Sequence, residues 1–151
     1  MPKTVVMIVS LKVPDTTAFS AMQTLKNIGF DKIKDVKRDD YYKFSIEGDD
    51  GKFKGKINKV DILVNANKHL CTFSLKKDES VKILVKNING NQSEILLTLK
   101  NRLGLNEIKN VEKAVLWSLA IDAEKTQARK IAEKAARELL VNENYQEYLI
   151  L

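Results

Sequence analysis

A phrase-level repeat constrains this chain more than any other feature. Thr24-Leu25-Lys26-Asn27 returns 74 residues later as Thr98-Leu99-Lys100-Asn101. "IGFDKIKDV" at 28–36 aligns with "LGLNEIKNV" at 103–111, 75 residues on, and Leu63-Val64-Asn65 aligns with Leu140-Val141-Asn142, 77 residues on. Three matches in one order with slowly growing offsets point to a unit written twice. The 151 residues therefore divide into a first repeat at 1–75, a hinge at 76–80 and a second repeat at 81–151.

Local patterning supports the division. "TVVMIVSLK" is a β-branched apolar run that stops at Pro14, as a strand does. In "TTAFSAMQTLKNIGF" the residues Ala18, Ala21, Met22, Leu25 and Ile28 fall at helical spacing, with Asp15, Thr16 or Thr17 to cap the start and Gly29 to stop it. "DKIKDVKRDDYYKFSIEG" alternates in two pieces, Ile33/Val36 and Tyr42/Phe44/Ile46, and a turn near Arg38–Asp40 would make it a hairpin. A second helix then places Phe53, Ile57, Val60 and Val64 on one face, and "HLCTFSL" is a closing strand.

The second half has the same order. "SVKILVKNI" is a strand, and the helix after it turns Ile95, Leu96, Leu99 and Leu103 inward and stops at Gly104. Two strand pieces end on Trp117, Leu119 and Ile121. The strongest helix follows, with Ala128, Ile131, Ala132, Ala135, Ala136 and Leu139 in one stripe, and "YQEYLIL" closes the chain. Each half is thus expected to be βαββαβ, the ferredoxin-like arrangement of α+β class, in which two helices cover one face of a four-stranded sheet. A single such unit buries a thin core, so two should pack as a pseudo-twofold intramolecular dimer that hides their bare faces. Tyr42, Phe44, Trp117 and Leu119 are the candidates for the hidden face.

Composition excludes more than it proposes. Hydrophobic residues at 44 % and charged residues at 30 % are globular values. No apolar run approaches the roughly 20 residues of a membrane span, the N-terminus lacks a signal-peptide cleavage site, and one cysteine permits no internal disulfide, so a cytoplasmic chain with no membrane partner is expected. The net charge of +6 comes from scattered lysines interleaved with acids and not from an Arg cluster, which argues against nucleic acid.

No catalytic motif stands out. "GKFKG" lacks the spacing and the Lys-Ser/Thr ending of a phosphate loop. His69 and Cys71 could share a strand face as base and nucleophile or as metal ligands. A zinc site needs about four such groups, however, and the second half has Gln146 and Tyr148 at these positions. Asp39/Asp40 and Asp49/Asp50 read as turn and cap residues. No catalytic, cofactor-binding or metal-binding residue is assigned, and a binding or assembly module is expected.

The residues that carry a family resemblance are Leu11-Lys12, Ile28-Gly29-Phe30, Ile33-Lys34-Asp35-Val36, Leu139-Leu140-Val141-Asn142 and Glu147-Tyr148. Taken once per half, they resemble PurS, the small subunit of phosphoribosylformylglycinamidine (FGAM) synthase, as a tandem duplication. The family shows a strand ending Leu-Lys, a helix ending Leu-Gly-Phe/Tyr, then Val-x-Asp-Val, and finally Leu-Leu-Ala-Asn-Pro before an acidic-Tyr strand. Its proline is absent here (Ala66, Glu143), and its hairpin Gly-Lys is replaced by Asp39-Asp40 and Ala114-Val115. The resemblance implies a non-catalytic adaptor of de novo purine biosynthesis that bridges the synthetase PurL and the glutaminase PurQ and supports ammonia transfer. It also implies that ATP, Mg²⁺ and glutamine bind on the other subunits of that ligase complex. The hairpins carrying Asp39, Asp40, Tyr41 and Ala114, Val115, Leu116 are the expected partner contacts. Nothing at this level limits further self-association. The alternative is an ACT-type regulatory module that binds a small ligand such as an amino acid, although its loops "VPDTT" and "NINGNQ" differ in length and chemistry.

Overall fold

The structure, a computed structural model, describes residues 3–60, 63–65, 67–75, 78–88 and 93–151, with Ser93 and Glu94 described by backbone alone. Asp61 and Ile62 of the expected second helix, Ala66, Lys76 and Lys77 of the hinge, and the loop 89–92 lie outside the described residues.

The elements are β1 (Lys3–Leu11), α1 (Thr16–Asn27), β2 (Ile33–Ile46), α2 (Asp50–Ile57), β3 (His69–Thr72), β4 (Val81–Asn87), α3 (Ser93–Leu97), β5 (Ile108–Ile121), α4 (Lys125–Ala135) and β6 (Gln146–Ile150). α3 continues as a π-helical turn over Thr98–Arg102, and α4 as another over Ala136–Leu140. The chain is mixed α and β with antiparallel strands, as expected.

The expected hairpins are not formed. Ile33–Ile46 is one 14-residue strand that runs straight through Arg38–Asp40, and Ile108–Ile121 is its counterpart. Pairing of Asp40 with Val9 and of Val115 with Val85 satisfies the backbone of each strand at the point where a turn was expected. Positive φ occurs among the described residues only at Gly29, Gly48 and Gly104.

The opened strands sort the chain into two compact units that do not follow the halves of the sequence. One unit comprises Met1–Lys12, Asp40–Leu75 and Gly90–Lys113; the other comprises Val13–Asp39, Lys76–Asn89 and Ala114–Leu151. In the first unit hydrogen-bonded neighbours run β3-β1-β2-β5, and in the second they run β2-β5-β4-β6. β2 meets β5 antiparallel in both, with Glu47 N–H donating to Glu107 O at 2.9 Å in the first unit and Asp122 N–H to Lys32 O at 2.8 Å in the second. Each unit holds four strands and two helices, the ferredoxin-like set. One helix and one strand segment of each set come from the opposite half of the sequence, the signature of an exchanged element.

The cores record the exchange. The first unit packs Val5, Met7 and Val9 of β1, Tyr42, Phe44 and Ile46 of β2, and Phe53 and Ile57 of α2 around Leu99, Leu105, Ile108 and Val111 from the second half. Tyr42 stacks on Phe44 at 6.1 Å between centroids, and Phe44 meets Phe53 edge-on at 5.2 Å. The second unit packs Ala18, Leu25, Ile33 and Val36 from the first half with β4, Trp117, Leu119 and the alanine stripe of α4. Tyr42, Phe44, Trp117 and Leu119 therefore lie in the helix-covered cores, not on a bare sheet face. The alternation that marks a strand does not say which of its faces the helices cover.

Helix ends explain four further departures. Asp15 caps α1 as expected, accepting from Thr17 N at 2.8 Å and Ala18 N at 3.2 Å. Its end is a Schellman turn, with Gly29 N–H donating to Lys26 O and Phe30 N–H to Leu25 O. That reversal carries Phe30 against the core and leaves Ile28 half exposed. After α3 the exit is through the π turn, where Leu103 N–H donates to Thr98 O and Leu105 N–H to Leu99 O, with Leu105 buried and Leu103 out. In α4 the π turn adds a residue and shifts the apolar phase by about one helical position, so Leu140 is buried in place of Leu139. α2 ends at Ile57, where Asn58 follows a helix already weakened by Gly51 and Gly55. Val60 and Val64 are still buried, in the turn that follows.

Two predictions follow from this packing. Leu99→Ala should cost about 2–5 kcal/mol, as a fully buried leucine does. Hydrogen exchange should then rise across β1 and the end of β2, in the other half of the sequence, and exchange confined to residues 81–151 would contradict the exchange of elements. The second prediction concerns Asp78, whose carboxylate accepts from Ser80 and from Lys82 Nζ at 3.1 Å, contacts that bring its pKa from 3.8 to about 2. A depressed carboxylate adds stability above its unfolded value and loses it as pH falls through the folded one. Between about pH 4 and 2 the wild type should therefore lose melting temperature faster than Asp78→Asn. The difference should be small, because the group is solvent-screened.

Candidate functional site

Two short loops, each between a helix exit and a closing strand, hold the polar groups with the most defined geometry. In the first unit Val64 is buried and the chain turns on Asn65. Asn65 Oδ1 accepts from Asn67 N at 2.9 Å, Asn65 O accepts from Lys68 N at 3.0 Å and His69 N at 2.7 Å, and Asn65 N–H donates to His69 Nδ1 at 2.9 Å. In the second unit Val141 is buried and Asn142 plays the same part. Its Oδ1 accepts from Asn144 N at 3.1 Å, its O from Tyr145 N at 3.0 Å and Gln146 N at 2.7 Å, and its N–H donates to Gln146 Oε1 at 3.0 Å. An Asx turn closed by a side-chain acceptor satisfies backbone groups in each loop.

This geometry gives His69 a structural role. Its Nδ1 is the acceptor for a backbone N–H, the position that Gln146 Oε1 fills in the other loop. Cys71 is half-buried at the margin of the first core, and burial pushes its thiol upward, away from thiolate reactivity. Among the described residues no group of three or more His, Cys, Asp or Glu is arranged to hold a metal ion. Asp49 caps α2 through Gly51 N at 2.8 Å and Lys52 N at 3.3 Å, and these backbone N–H groups hold its carboxyl below the ordinary range.

The residues expected at hairpin tips lie in mid-strand. Asp40 pairs with Val9 and Tyr41 with Ile8 across β1–β2, while Val115 pairs with Val85 and Leu116 with Leu84 across β4–β5. Asp39 and Asp40 are half-buried, and Ala114 and Leu116 are buried at 6 % and 2 % exposure, so neither set is a turn. Arg38 Nε binds Asp15 Oδ2 at 3.0 Å and ties this part of β2 to the cap of α1. Burial, with Asp40 second, pushes the Tyr42 hydroxyl up to about 12, and Lys113 sits over the Tyr42 ring at 5.7 Å.

The second unit also carries a cleft. It has a volume of about 870 Å³ at the exit of α4 and is lined by Arg137, Leu139, Val141, Asn142, Glu143 and Asn144. The π turn presents Arg137, whose Nε donates to Tyr148 Oη at 3.0 Å and whose Nη2 donates to Glu133 Oε1 at 3.1 Å. Tyr148 donates in turn to Glu133 at 3.3 Å, and these acceptors hold the guanidinium above its usual value. The sequence signal that could have found the cleft was the repeated exit phrase itself, because its asparagine sets the loop.

Residues 81–151 match the PurS family, described as phosphoribosylformylglycinamidine (FGAM) synthase. No significant match to a curated protein was found.

Replacing the His69 acceptor tests the loop. His69→Gln should preserve stability, since Gln146 does the same work in the second loop. His69→Ala should lower it by about 1 kcal/mol through the orphaned Asn65 N–H, as measured by denaturant unfolding.

Proposed function

We propose that this protein is a non-catalytic adaptor subunit of an FGAM synthase complex in purine biosynthesis, built from two PurS-like repeats in one chain. The observation that carries the reading is the family match over residues 81–151. Support for extending it to the first half comes from hydrogen bonding. The Asn65 and Asn142 loops hold the same set of bonds, Lys12 N–H donates to Lys68 O as Ile88 N–H does to Tyr145 O, and Ile33 N–H donates to Phe30 O as Ile108 N–H does to Leu105 O. A repeated chain would supply in one polypeptide what two half-length chains supply as a pair, a pseudo-twofold dimer with repeats at 1–75 and 81–151.

In this role the chain bridges the synthetase PurL and the glutaminase PurQ in the cytoplasm and supports ammonia passage between them. ATP, Mg²⁺ and glutamine act on those partners. With the expected contact residues in mid-strand, docking falls to helix-exit loops and exposed strand edges, since exposed loops are where recognition concentrates.

Reconstitution tests the reading. The chain is mixed with the cognate PurL and PurQ, ATP, Mg²⁺ and either glutamine or ammonia, and amidine formation is followed. Glutamine-dependent activity should require this chain, while ammonia-dependent activity of PurL should change little. Equal glutamine-dependent rates with and without it would overturn the adaptor role.

A further inference from the structure

Alternate residues of β4 and β6 face away from the core of the second unit. Val81, Ile83 and Val85 of β4 and Tyr148 and Ile150 of β6 belong to that core, so Leu84, Lys86, Glu147 and Leu149 lie on the opposite face. There the strand register builds two rows. Leu149 lies opposite Leu84 and Leu84 opposite Leu116, an apolar row that runs outward from Leu116, at 2 % exposure, through half-buried Leu84 to Leu149, at 59 %. Beside it Lys86 lies opposite Glu147. These two opposite charges are direct cross-strand neighbours, yet neither makes an ion pair among the described residues. Lys82, the next lysine along β4, is drawn back to Asp78 Oδ1 at 3.1 Å and Ser80 Oγ at 2.6 Å. The exposed end of the apolar row sits on β6, which ends the strand order of the described residues.

Charge selects the occupant. A surface that meets its own copy does so about a twofold axis, so its pattern must be complementary to itself. An axis parallel to the strands and lying between β4 and β6 sets each β6 over the β4 of the copy. Leu149 then meets the copy's Leu84 and Glu147 meets the copy's Lys86, and symmetry makes each contact twice. An axis moved onto β4 would set Lys86 against itself, which like charge opposes. At the matching positions of the first unit the cross-strand pairs are Ser10 with Leu70 and Ile8 with Thr72, so the charged row belongs to the second unit alone.

We propose that a second copy of this chain docks on this face of β4 and β6. Leu149 and Leu84 of each copy form the apolar centre, and two Glu147–Lys86 ion pairs between the copies form the rim. Strands of the two faces then run nearly aligned, the common arrangement of sheets packed face to face. The proposal goes beyond the adaptor reading and stands independently of it.

Sedimentation equilibrium of the full chain, over a concentration series at low and high salt, tests the proposal. The wild type should form a dimer that loosens as salt rises. Leu149→Asp should weaken self-association about tenfold or more with the circular dichroism spectrum unchanged. Lys86→Glu and Glu147→Lys should each do the same, because each sets like charges against one another at both rim contacts. Mixed together, those two single variants should pair with each other at least as tightly as the wild type pairs with itself, since every rim contact is then attractive. A mixture that stays monomeric would mean that the charge register is wrong, and the proposal fails. It fails as well if the wild type is monomeric at about 100 μM, or if Leu149→Asp and both charge variants leave a wild-type dimer intact. Should a monomeric wild type bind purified PurL or PurQ and Leu149→Asp abolish that binding, the face belongs to a partner subunit. The second copy is then the wrong occupant, and the adaptor reading stands.

Discussion

Two long strands set everything else in this protein. β2 and β5 each begin in one apolar core and end in the other, so that Ile33 and Val36 serve one cluster and Tyr42, Phe44 and Ile46 the other. A hairpin at the middle of each strand would keep both pieces in one core. Each strand instead runs through, and each core draws a helix and a strand segment from both halves of the sequence. Neither core is then complete from one half of the sequence, since Leu99 and Leu105 fill one and Ala18 and Leu25 the other. Fully buried side chains of this size each contribute on the order of 2 kcal/mol, so this dependence is a large share of the stability of a small domain.

The helix exits show how the same backbone solution can carry different surfaces. An asparagine after a buried valine accepts three N–H groups in each loop, and its own N–H finds a side chain four residues on. Histidine fills that last position in one loop and glutamine in the other, which accounts for His69 without chemistry. Because the bonds use the backbone and the asparagine, the residues between them are free to vary. Lys68 in one loop and Tyr145 in the other occupy one geometry with different side chains.

Much of the architecture was legible in the residues. The caps at Asp15 and Asp49, the stops at Gly29 and Gly104 and the alanine stripe of α4 follow from local chemistry, and each is found where its residue types place it. One set of misjudged positions lies at helix ends. Ile28, Leu103 and Leu139 continue the apolar spacing by sequence, but a Schellman reversal or a π turn changes the phase, and the next apolar residue is buried instead. The cleft residues Arg137, Asn142, Glu143 and Asn144 were the least legible.

By itself the sequence determined the elements, their order and their apolar faces, because helix and strand periods and the caps are local properties of successive residues. Only the tertiary structure decided that Arg38–Asp40 would stay extended, since a strand holds or turns there according to the neighbours that satisfy its backbone and not by its own composition. The same holds for which helix covers which sheet segment. Long-range pairing chose a core for each apolar face, and that choice moved Asp39, Asp40, Tyr41, Ala114, Val115 and Leu116 from expected tips into the middle of strands.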